Sequence, residues 1–350
     1  MLYIWERDDW PNFHWQEQKI SPISRKIYYI LGTLDAHAGI LQADESLEKE
    51  MDALLQNILY SFAIEGEILN VHSVRSSLAK RLNMEISRDL ATAKTDGLAE
   101  LQMDVLRNSQ QKLTLKRLYR WHKWIFIGSG QDIPIGKWRG KEPMQVVSGR
   151  LDAPKVHFEA PPYNQIHVEM RKLLSWFQQT KNHLDPFVRA GIVHLWFLTL
   201  HPFADGNGRL ARNLSELALA QDNAKCAKLY SLSSVILKKR KEYYQILEKT
   251  QKGNMDITSW LQWFLFCIEQ SIANSLLQIE RIVFKTRFWK KFSMVVFKKE
   301  QKKVLNALLQ VETEQFVDGI SARQYQKIAN VSKATATRHL VELVTIGCLT

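Results

Sequence analysis

The most informative stretch of this 350-residue sequence is HPFADGNGRLAR, which runs from His201 to Arg212. Its informative positions follow the pattern H-x-F-x-D-G-N-G-R-x-x-R, and average residue usage makes a chance match on the order of 10⁻⁸ for a chain of this length. Residues 188–200, just before it, are apolar on nearly every face and too few to span a bilayer. They predict a buried core helix that ends at Pro202, then a loop and a second helix over 209–221.

The loop within this stretch carries the residue types that phosphate chemistry requires. The backbone of Gly206, Asn207 and Gly208 can turn tightly and bring its N–H groups close to an anion at the start of the second helix. Asp205 lies at the rim of that site, and one carboxylate together with phosphate oxygens is the usual way to hold Mg²⁺. The loop therefore predicts a site for a metal-bound phosphate.

His201 and two arginines complete the set. The histidine can take a proton from an attacking hydroxyl near neutral pH. Arg209 and Arg212 are about one turn apart, so both can neutralise charge that moves onto a polyphosphate leaving group. The alternative is a structural helix–loop–helix with a core histidine and two solvated arginines. The fixed spacing of all these groups favours the active site.

This run is identified as the signature motif of the Fic family, and no position departs from the family pattern. The resemblance implies an all-helical enzyme that uses ATP and Mg²⁺ or Mn²⁺ to transfer AMP to a Ser, Thr or Tyr hydroxyl of another protein. Gly208 favours nucleotidyl transfer, because the kinase-like branch of the superfamily typically has lysine there. The implied roles are His201 as general base, Asp205 as metal ligand, Gly206, Asn207 and Gly208 as the α-phosphate cradle, and Arg209 and Arg212 as β- and γ-phosphate ligands.

Two short β-type runs, 143–149 and 155–159, surround residues 150–154 and predict a hairpin in an otherwise helical chain. An isolated hairpin is marginally stable, so its presence suggests a use. In Fic enzymes a hairpin at this place, here about 143–159, is the flap that clamps the target's modifiable segment by strand addition. The alternative is an ordinary surface hairpin.

A second motif, SFAIEG, runs from Ser61 to Gly66. It resembles the inhibitory pattern (S/T)-x-x-x-E-(G/N) that some Fic enzymes carry ahead of the catalytic core. Apolar residues at helical spacing precede it, so Glu65 is expected in the last turn of an amphipathic helix that Gly66 ends. A carboxylate docked on Arg212 would occupy the cation that the γ-phosphate needs, because arginine binds both groups with the same fork. In relatives the same glutamate can also orient a water that removes AMP.

Two aromatic features are less specific. Tyr243 or Tyr244 flanks the adenine in similar enzymes, and a core tyrosine is an equal alternative. Several aromatic residues crowd positions 5–15, and we expect them to serve structural packing, with an interaction surface as the alternative. A helical stretch is predicted from Pro22 to about Leu59.

Composition limits the class of protein. A chain that is 45% hydrophobic can bury two or three cores at this length. Its three widely spaced cysteines form neither a disulfide framework nor a zinc pattern, which favours a reducing compartment. The N-terminal residues are charged too early for a secretory signal, and no apolar run reaches membrane length. We therefore expect a protein of cytoplasmic origin with no membrane partner, and the sequence leaves export as an effector open.

The C-terminal segment, from Lys285 onward, has 12 lysines and arginines against 5 acidic residues, so it holds more than half of the chain's net charge of +12. Its pattern predicts a helix over 321–329, a tight turn and a second helix over 333–345 with Ser332 as N-cap. It resembles the recognition helix of a winged helix-turn-helix domain that would contact DNA or a DNA-associated protein. The alternative is protein contact or homodimerisation. The expected DNA contacts are Lys333, Thr335, Thr337 and Arg338.

The sequence thus predicts a mostly α-helical, multi-domain protein with a Fic-type core and a β-hairpin flap. The expected domains are an N-terminal helical domain over 1–105, the catalytic core over 106–280, and a linker helix with winged helix-turn-helix over 281–350. The predicted function is an autoinhibited protein adenylyltransferase. A different class stays open, in which the chain is a DNA-binding regulator whose Fic core senses nucleotide.

Overall fold

The computed structural model of the chain describes residues 2–85, 88–130, 132–150, 153–310 and 319–350, with side chains at all of these except 148–150, 153, 154 and 310. The described residues are mostly helical, as predicted, and contain one two-stranded antiparallel sheet. The helices of the first half are α1 Glu17–Ala38, α2 Ala43–Ile64, α3 Val71–Leu82, α4 Ala93–Arg107, α5 Leu115–Phe126, α6 Tyr163–Gln179 and α7 Pro186–Leu200. Those of the second half are α8 Asn207–Ala227, α9 Leu232–Lys238, α10 Arg240–Gln251, α11 Thr258–Lys291, α12 Lys299–Gln310, α13 Ala322–Ala329 and α14 Lys333–Thr345.

The centre of the core is α7, whose residues 187–200 are all buried, which confirms the predicted core helix. Asp185 begins it by accepting hydrogen bonds from the backbone N–H groups of Phe187 and Val188, and a proline fills the first helical position. Helix α7 packs along α8, and α8 in turn packs on α4. The short loop 201–206 between α7 and α8 is therefore held at both ends by the most buried helices of the fold.

The long N-terminal helix that the sequence predicted is two helices. The chain leaves α1 at Gly39, and α2 begins with a capping box. The Gln42 side chain accepts from the backbone N–H of Glu45, and the Glu45 side chain accepts from the backbone N–H of Gln42. Pro22 lies inside α1 rather than at its start. Helix α2 packs on α3 and α9 and ends at Ile64, which brings the predicted inhibitory residue Glu65 to its C-cap.

The hairpin consists of β1, Gln145–Arg150, and β2, Ala153–Glu159, and residues 151–152 of the predicted turn lie outside the described residues. Its register slips between Val146 and Val147, so His157 is an extra residue on β2. That bulge directs the His157 ring to Glu248 of α10, with 2.8 Å between Nδ1 and Oε2. The base of the hairpin is thereby attached to the helical core.

The N-terminal aromatic residues at positions 5, 10 and 13 are partly buried and pack against the rest of the protein. The indole N–H of Trp5 donates to the carbonyl of Glu159 at the end of β2, over 2.7 Å. Trp10 and Phe13 contact the Trp196 ring of α7 edge to face. Tyr3 packs in the same way on Phe158. This segment supports the hairpin and α7 at once.

The chain divides into two compact units, Met1–Leu276 and Leu277–Thr350, so that the N-terminal helices and the residues around the loop 201–206 fall in one unit. The second unit has its own small apolar core, centred on Tyr325 and Leu343. In the part of the chain that the structure describes, no helix is both long enough and apolar enough to cross a membrane.

Candidate active site

The predicted site forms at the junction of α7 and α8. His201 caps the C-terminus of α7 with φ 46° and ψ 55°, a left-handed conformation that costs free energy for a residue with a side chain. The left-handed turn redirects the chain out of α7 and into the loop. Gly206, with φ 82°, then turns the chain into α8 without that cost.

The His201 ring is set up to accept a proton. Its Nδ1 lies 3.2 Å from the carbonyl oxygen of Leu198, and because a carbonyl can only accept, Nδ1 carries the hydrogen. The other nitrogen, Nε2, then holds a free lone pair. The pKa of His201 is lowered to about 4, mainly by burial and in part by the Arg139 cation nearby, while the hydrogen bond to Leu198 and the charges of Glu65 and Asp205 oppose the shift. The ring is therefore neutral at pH 7.

The N-terminus of α8 is open for an anion. Gly206 is the N-cap and supplies no side chain to the first N–H groups of the helix, and the first turn contains no acidic residue. Asn207 is 2% exposed, and its amide donates to and accepts from the backbone of Phe203. This side chain stiffens the loop, so within the predicted cradle Asn207 can offer only its backbone N–H.

Arg212 and Glu65 form an ion pair, with 2.6 Å between Nη2 and Oε1. Ser61 holds the same guanidinium, because its hydroxyl accepts from Nε and its carbonyl from Nη2, both over 2.8 Å. Gly66, with φ 85°, turns the chain away just after the glutamate. Although burial opposes the charge of Arg212, Glu65 raises the pKa of this arginine above its ordinary value. Two of the three predicted inhibitory residues, Ser61 and Glu65, thus contact Arg212 of α8.

Gly208 faces the same carboxylate. A Cβ at position 208 would collide with Oε1 of Glu65 and would lie 3.3 Å from Nη1 of Arg212. That Nη1 is buried and makes no hydrogen bond to any residue that the structure describes. Glu65 therefore lies over the start of α8 as an internal anion, and one strong donor of Arg212 is left for another acceptor.

Arg209 lies between two carboxylates. Its Nη2 is 3.0 Å from Oδ2 of Asp205, and its Nη1 is 3.3 Å from Oε2 of Glu67. The guanidinium is also enclosed by the rings of Phe62 and Phe126, each with its centroid 4.8 Å away. The sequence analysis missed Glu67, although it lies two residues after Glu65.

His122 is a second residue that the sequence analysis missed. It is fully buried, accepts from the Gly136 N–H at Nδ1 over 2.9 Å, and lies with Nε2 3.1 Å from the carbonyl oxygen of Asp205. This pattern requires the neutral ring with hydrogen on Nε2, and burial lowers its pKa to about 4. His122 thereby fixes the backbone at Asp205. No motif around position 122 marks it, because both of its partners are backbone groups.

The two candidate adenine residues differ. Tyr243 is 1% exposed and its hydroxyl lies 2.9 Å from Nε2 of His194, which places it in the core. Tyr244 is 38% exposed, and its hydroxyl donates to the Ile64 carbonyl over 3.2 Å and lies 3.4 Å from Oε2 of Glu65. Only Tyr244 therefore has an open face beside the site.

The donor set fits a magnesium ion that a nucleotide brings with it. Asp205 supplies the carboxylate of the loop, and 46% of its side chain is exposed. No group of three His, Cys, Asp or Glu side chains suited to a metal occurs among the described residues. One carboxylate beside an open anion cradle is the arrangement expected when phosphate oxygens supply the other ligands.

Comparison with known proteins agrees with this geometry. Residues 112–219, which include α5, the hairpin, α7 and the loop, match the model described as Fic/DOC family. The chain carries a Fic/DOC family domain. Ahead of the Fic domain, residues 3–84 match a model described as a domain of unknown function, DUF4172, and this region includes residues 61–66, the predicted inhibitory motif.

Among curated relatives, the chain is 26% identical over 243 residues to the protein adenylyltransferase Fic of Drosophila mojavensis. It is 24% identical over 250 residues to the protein adenylyltransferase fic-1 of Caenorhabditis elegans. These matches cover 68% and 67% of this chain. The chain spans 44% of the length of each of these relatives.

Solved structures share the fold of the Fic domain and of the helices around it. A Fic family protein from Desulfovibrio desulfuricans G20 superimposes with a TM-score of 0.59 at 19% identity, over 95% of this chain and 90% of that one. Fic-1 from C. elegans gives a TM-score of 0.52 at 21% identity, over 77% of this chain and 74% of that one. The mostly helical fold with one hairpin is therefore the fold of these proteins.

The helix-turn-helix of the second unit is formed by α13 and α14, and Asn330 makes the turn in a left-handed conformation. Lys333, Thr337 and Arg338 are exposed and Thr335 is partly buried. Leu343 packs in the core of this unit, whereas Val344, the next residue on α14, is 48% exposed. His339 takes part in that core through a hydrogen bond to the Tyr325 hydroxyl.

Proposed function

We propose that this chain is an autoinhibited protein adenylyltransferase, which transfers AMP from ATP to a Ser, Thr or Tyr hydroxyl of a target protein. The observation that carries the proposal is the open N-terminus of α8 with Arg212 beside it, where Glu65 already lies as an internal anion. A site that holds a carboxylate on these groups offers a phosphate the same donors. The named relatives support the reaction class.

In the proposed reaction, the target hydroxyl attacks the α-phosphorus of ATP while Nε2 of His201 accepts its proton. A bond forms between the hydroxyl oxygen and the α-phosphorus, the bond to the bridging oxygen breaks, and pyrophosphate leaves. The N–H groups at the start of α8 stabilise charge on the α-phosphate. Arg209 and Arg212 hold the charge that develops on pyrophosphate.

Magnesium would enter with the nucleotide and neutralise part of the phosphate charge. Asp205 is the residue that would hold it, because its carboxylate is exposed and His122 fixes its backbone. The ion would compete with Arg209 for the Asp205 carboxylate, which would make Nη2 of Arg209 available to a phosphate oxygen while Nη1 stays near Glu67.

Glu65 is the brake in this proposal. Its carboxylate occupies Arg212, so that the γ-phosphate of ATP and Glu65 exclude each other. Ser61 and Tyr244 hold the brake in place from two sides, one through Arg212 and the other through the backbone of Ile64. Loss of the carboxylate leaves Arg212 bound to Ser61 and open on its other side.

The test is labelled-ATP transfer, into the protein itself and into a cell lysate, by the unmodified enzyme, Glu65→Gly and Glu65→Gly with His201→Ala. We expect Glu65→Gly to raise AMP transfer by about tenfold or more, since binding of a charged group at this site is worth more than about 1.4 kcal/mol. We expect the added substitution His201→Ala to abolish the transfer. Glu67→Gln is the matched control, because Glu67 contacts Arg209 and not Arg212.

Equal transfer by the unmodified enzyme and Glu65→Gly would reject the brake. If ATP binds to both but neither transfers AMP, the chain is instead a nucleotide sensor. Mass spectrometry of the labelled bands identifies the target and the acceptor side chain in the positive case.

A second proposed activity is removal of AMP from a modified target at the same site. Among the residues that the structure describes, Oε2 of Glu65 accepts one hydrogen bond, from the Tyr244 hydroxyl over 3.4 Å, so this oxygen can also take a water molecule. Incubation with a protein that already carries AMP tests the activity. Release of AMP by the unmodified enzyme and not by Glu65→Gly would support it.

We further propose that the helix-turn-helix holds nucleic acid and brings the enzyme close to DNA-associated targets. Support comes from the exposed positions of Lys333, Thr337 and Arg338 on α14, and from the positive charge of the segment that begins at Lys285. Tethering raises the effective concentration of enzyme near a target without a new contact at the active site. The competing use of this face is homodimerisation.

A further inference from the structure

Arg139 is a buried cation with an unusual set of partners. It is 4% exposed, and no carboxylate lies within ion-pair distance of it among the described residues. Its Nε donates to the carbonyl of His201 over 3.0 Å, and its backbone N–H donates to the carbonyl of Pro202, also over 3.0 Å. Its Nη2 donates to the carbonyl of Pro161. One side chain therefore joins two separate segments of backbone.

The first segment contains the strained residue of the site. His201 has a left-handed backbone, which persists only where the surroundings determine it fully. Its own N–H donates to the Phe197 carbonyl, and Arg139 holds the two peptide groups that follow. The Arg139 side chain donates to the His201 carbonyl, and the Arg139 backbone N–H donates to the Pro202 carbonyl. The position of the catalytic ring thus depends on a residue 62 positions earlier in the chain.

The second segment is the base of the hairpin. Pro161 lies two residues after the end of β2. The Ala160 N–H, between them, donates to the Met144 carbonyl over 2.9 Å, which closes the hairpin just before β1. Arg139 therefore binds the point at which both strands of the hairpin leave the helical core. In the proposed reaction this hairpin is the flap that presents the target hydroxyl to His201.

We propose that Arg139 is a positioning residue that fixes the flap and His201 relative to each other. The hydroxyl that the flap presents then lies within hydrogen-bond reach of Nε2 of His201. The proposal rests on the proposed function. Arginine suits the task because its planar fork has donors that point in different directions, whereas lysine is a single charge on a flexible stem. Near-attack geometry is sensitive to shifts of about 1 Å, so loss of the fork lowers turnover even when the fold persists.

The experiment compares Arg139→Lys with Arg189→Lys. Arg189 is a matched control, because it is also buried and also donates to a backbone carbonyl, that of Phe177, but lies at the opposite end of α7 from His201. The first readout is amide hydrogen exchange, followed by mass spectrometry, in peptides that cover 144–160 and 201–206. The second is kcat and KM for ATP and for the target, measured in the Glu65→Gly background.

We expect Arg139→Lys to speed exchange in both segments, by about tenfold, as for loss of one charged hydrogen bond. We also expect kcat to fall at least tenfold while KM for ATP stays unchanged, since Arg139 donates to backbone and does not face the nucleotide donors. Arg189→Lys should alter neither segment. The uncharged variant Arg139→Gln repeats the test if the lysine variant does not fold.

Faster exchange in only one segment, or in neither, overturns the proposal, and so does an unchanged kcat with both segments loosened. If the Glu65→Gly enzyme transfers no AMP at all, the proposed function is wrong. The exchange experiment then still decides whether Arg139 ties the two segments together, because it requires no activity.

Discussion

Helices α8 and α14 each carry two basic residues in their first two turns, but they differ in how their N-termini are capped and in how deeply the charges are buried. Helix α8 begins at Asn207 with Arg209 and Arg212 in its first two turns, and α14 begins at Lys333 with Arg338 in the second. Neither has an acidic residue in its first turn, so in both the positive charges add to the helix dipole. Both starts therefore attract an anion.

The difference lies in the caps and in burial. The N-cap of α14 is Ser332, whose hydroxyl accepts from the Thr335 N–H, whereas the N-cap of α8 is Gly206, which leaves the first N–H groups open. The arginines of α8 are 4% and 1% exposed and need counter-charges, which Asp205, Glu67 and Glu65 supply. Exposed cations such as those of α14 are hydrated by water and screened by salt, so they need no counter-charge from the protein. A buried, uncapped cationic helix start therefore identifies a specific anion site, and an exposed, capped one indicates a surface for nucleic acid or another partner.

The largest effect we predict is at Arg212. In the Glu65→Gly background, Arg212→Ala should lower AMP transfer on the order of 10²-fold or more, because clamping the polyphosphate is most of what such a site contributes. Initial rates of label transfer from ATP measure it. Arg338→Ala is the matched control on α14 and should leave the rate unchanged. Equal losses in the two variants would erase the distinction between the helix starts.

Acid should weaken the fold through His122. Its pKa is lowered to about 4 in the folded protein against about 6.5 in the unfolded chain, so between these values the unfolded state binds more protons. The stability that depends on a neutral His122 ring is complete above about pH 6.5 and is lost as the pH falls toward 4. It amounts to about 2 kcal/mol between pH 7 and pH 5.

Urea unfolding at pH 7 and pH 5 tests this, with His122→Gln beside the unmodified protein. A glutamine side chain does not titrate, so the variant should lose about 2 kcal/mol less over the same pH interval. His183→Gln, at an exposed position, should follow the unmodified protein. Parallel pH dependence of all three would show that the buried ring does not contribute.

The smallest effect concerns α14. If its open face binds DNA, log Kd should depend linearly on log salt, and removal of Lys333 and Arg338 together should reduce the slope by about 2 and weaken binding about tenfold at low salt. Fluorescence anisotropy with a short duplex measures this. Lys298→Ala is the control, because its ammonium is already bonded to Glu342 over 2.8 Å. An absence of DNA binding at low salt would leave homodimerisation as the use of this face.

Several parts of the fold followed from local sequence. The run 188–200 predicted a buried helix because it is apolar on every side, and α7 has that character. Two β-type runs predicted the hairpin, and Ser332 as an N-cap predicted where the second helix of the helix-turn-helix begins. The break between α1 and α2 was missed, although two local features mark it: Gly39 as the C-cap of α1, and the capping box of Gln42 and Glu45 at the start of α2.

The sequence by itself determined the chemical set: His201, Asp205, the Gly206–Gly208 turn and two arginines lie within twelve residues, where chain connectivity alone keeps them close. It also singled out Glu65, through a short pattern at the end of a helix. Only the tertiary structure decided which residues hold that set in place. His122, Arg139 and Glu67 act on the loop from distant segments through backbone carbonyls or buried charge. Such contacts leave no local pattern in a sequence, because backbone groups are the same at every position and burial arises only when the helices pack.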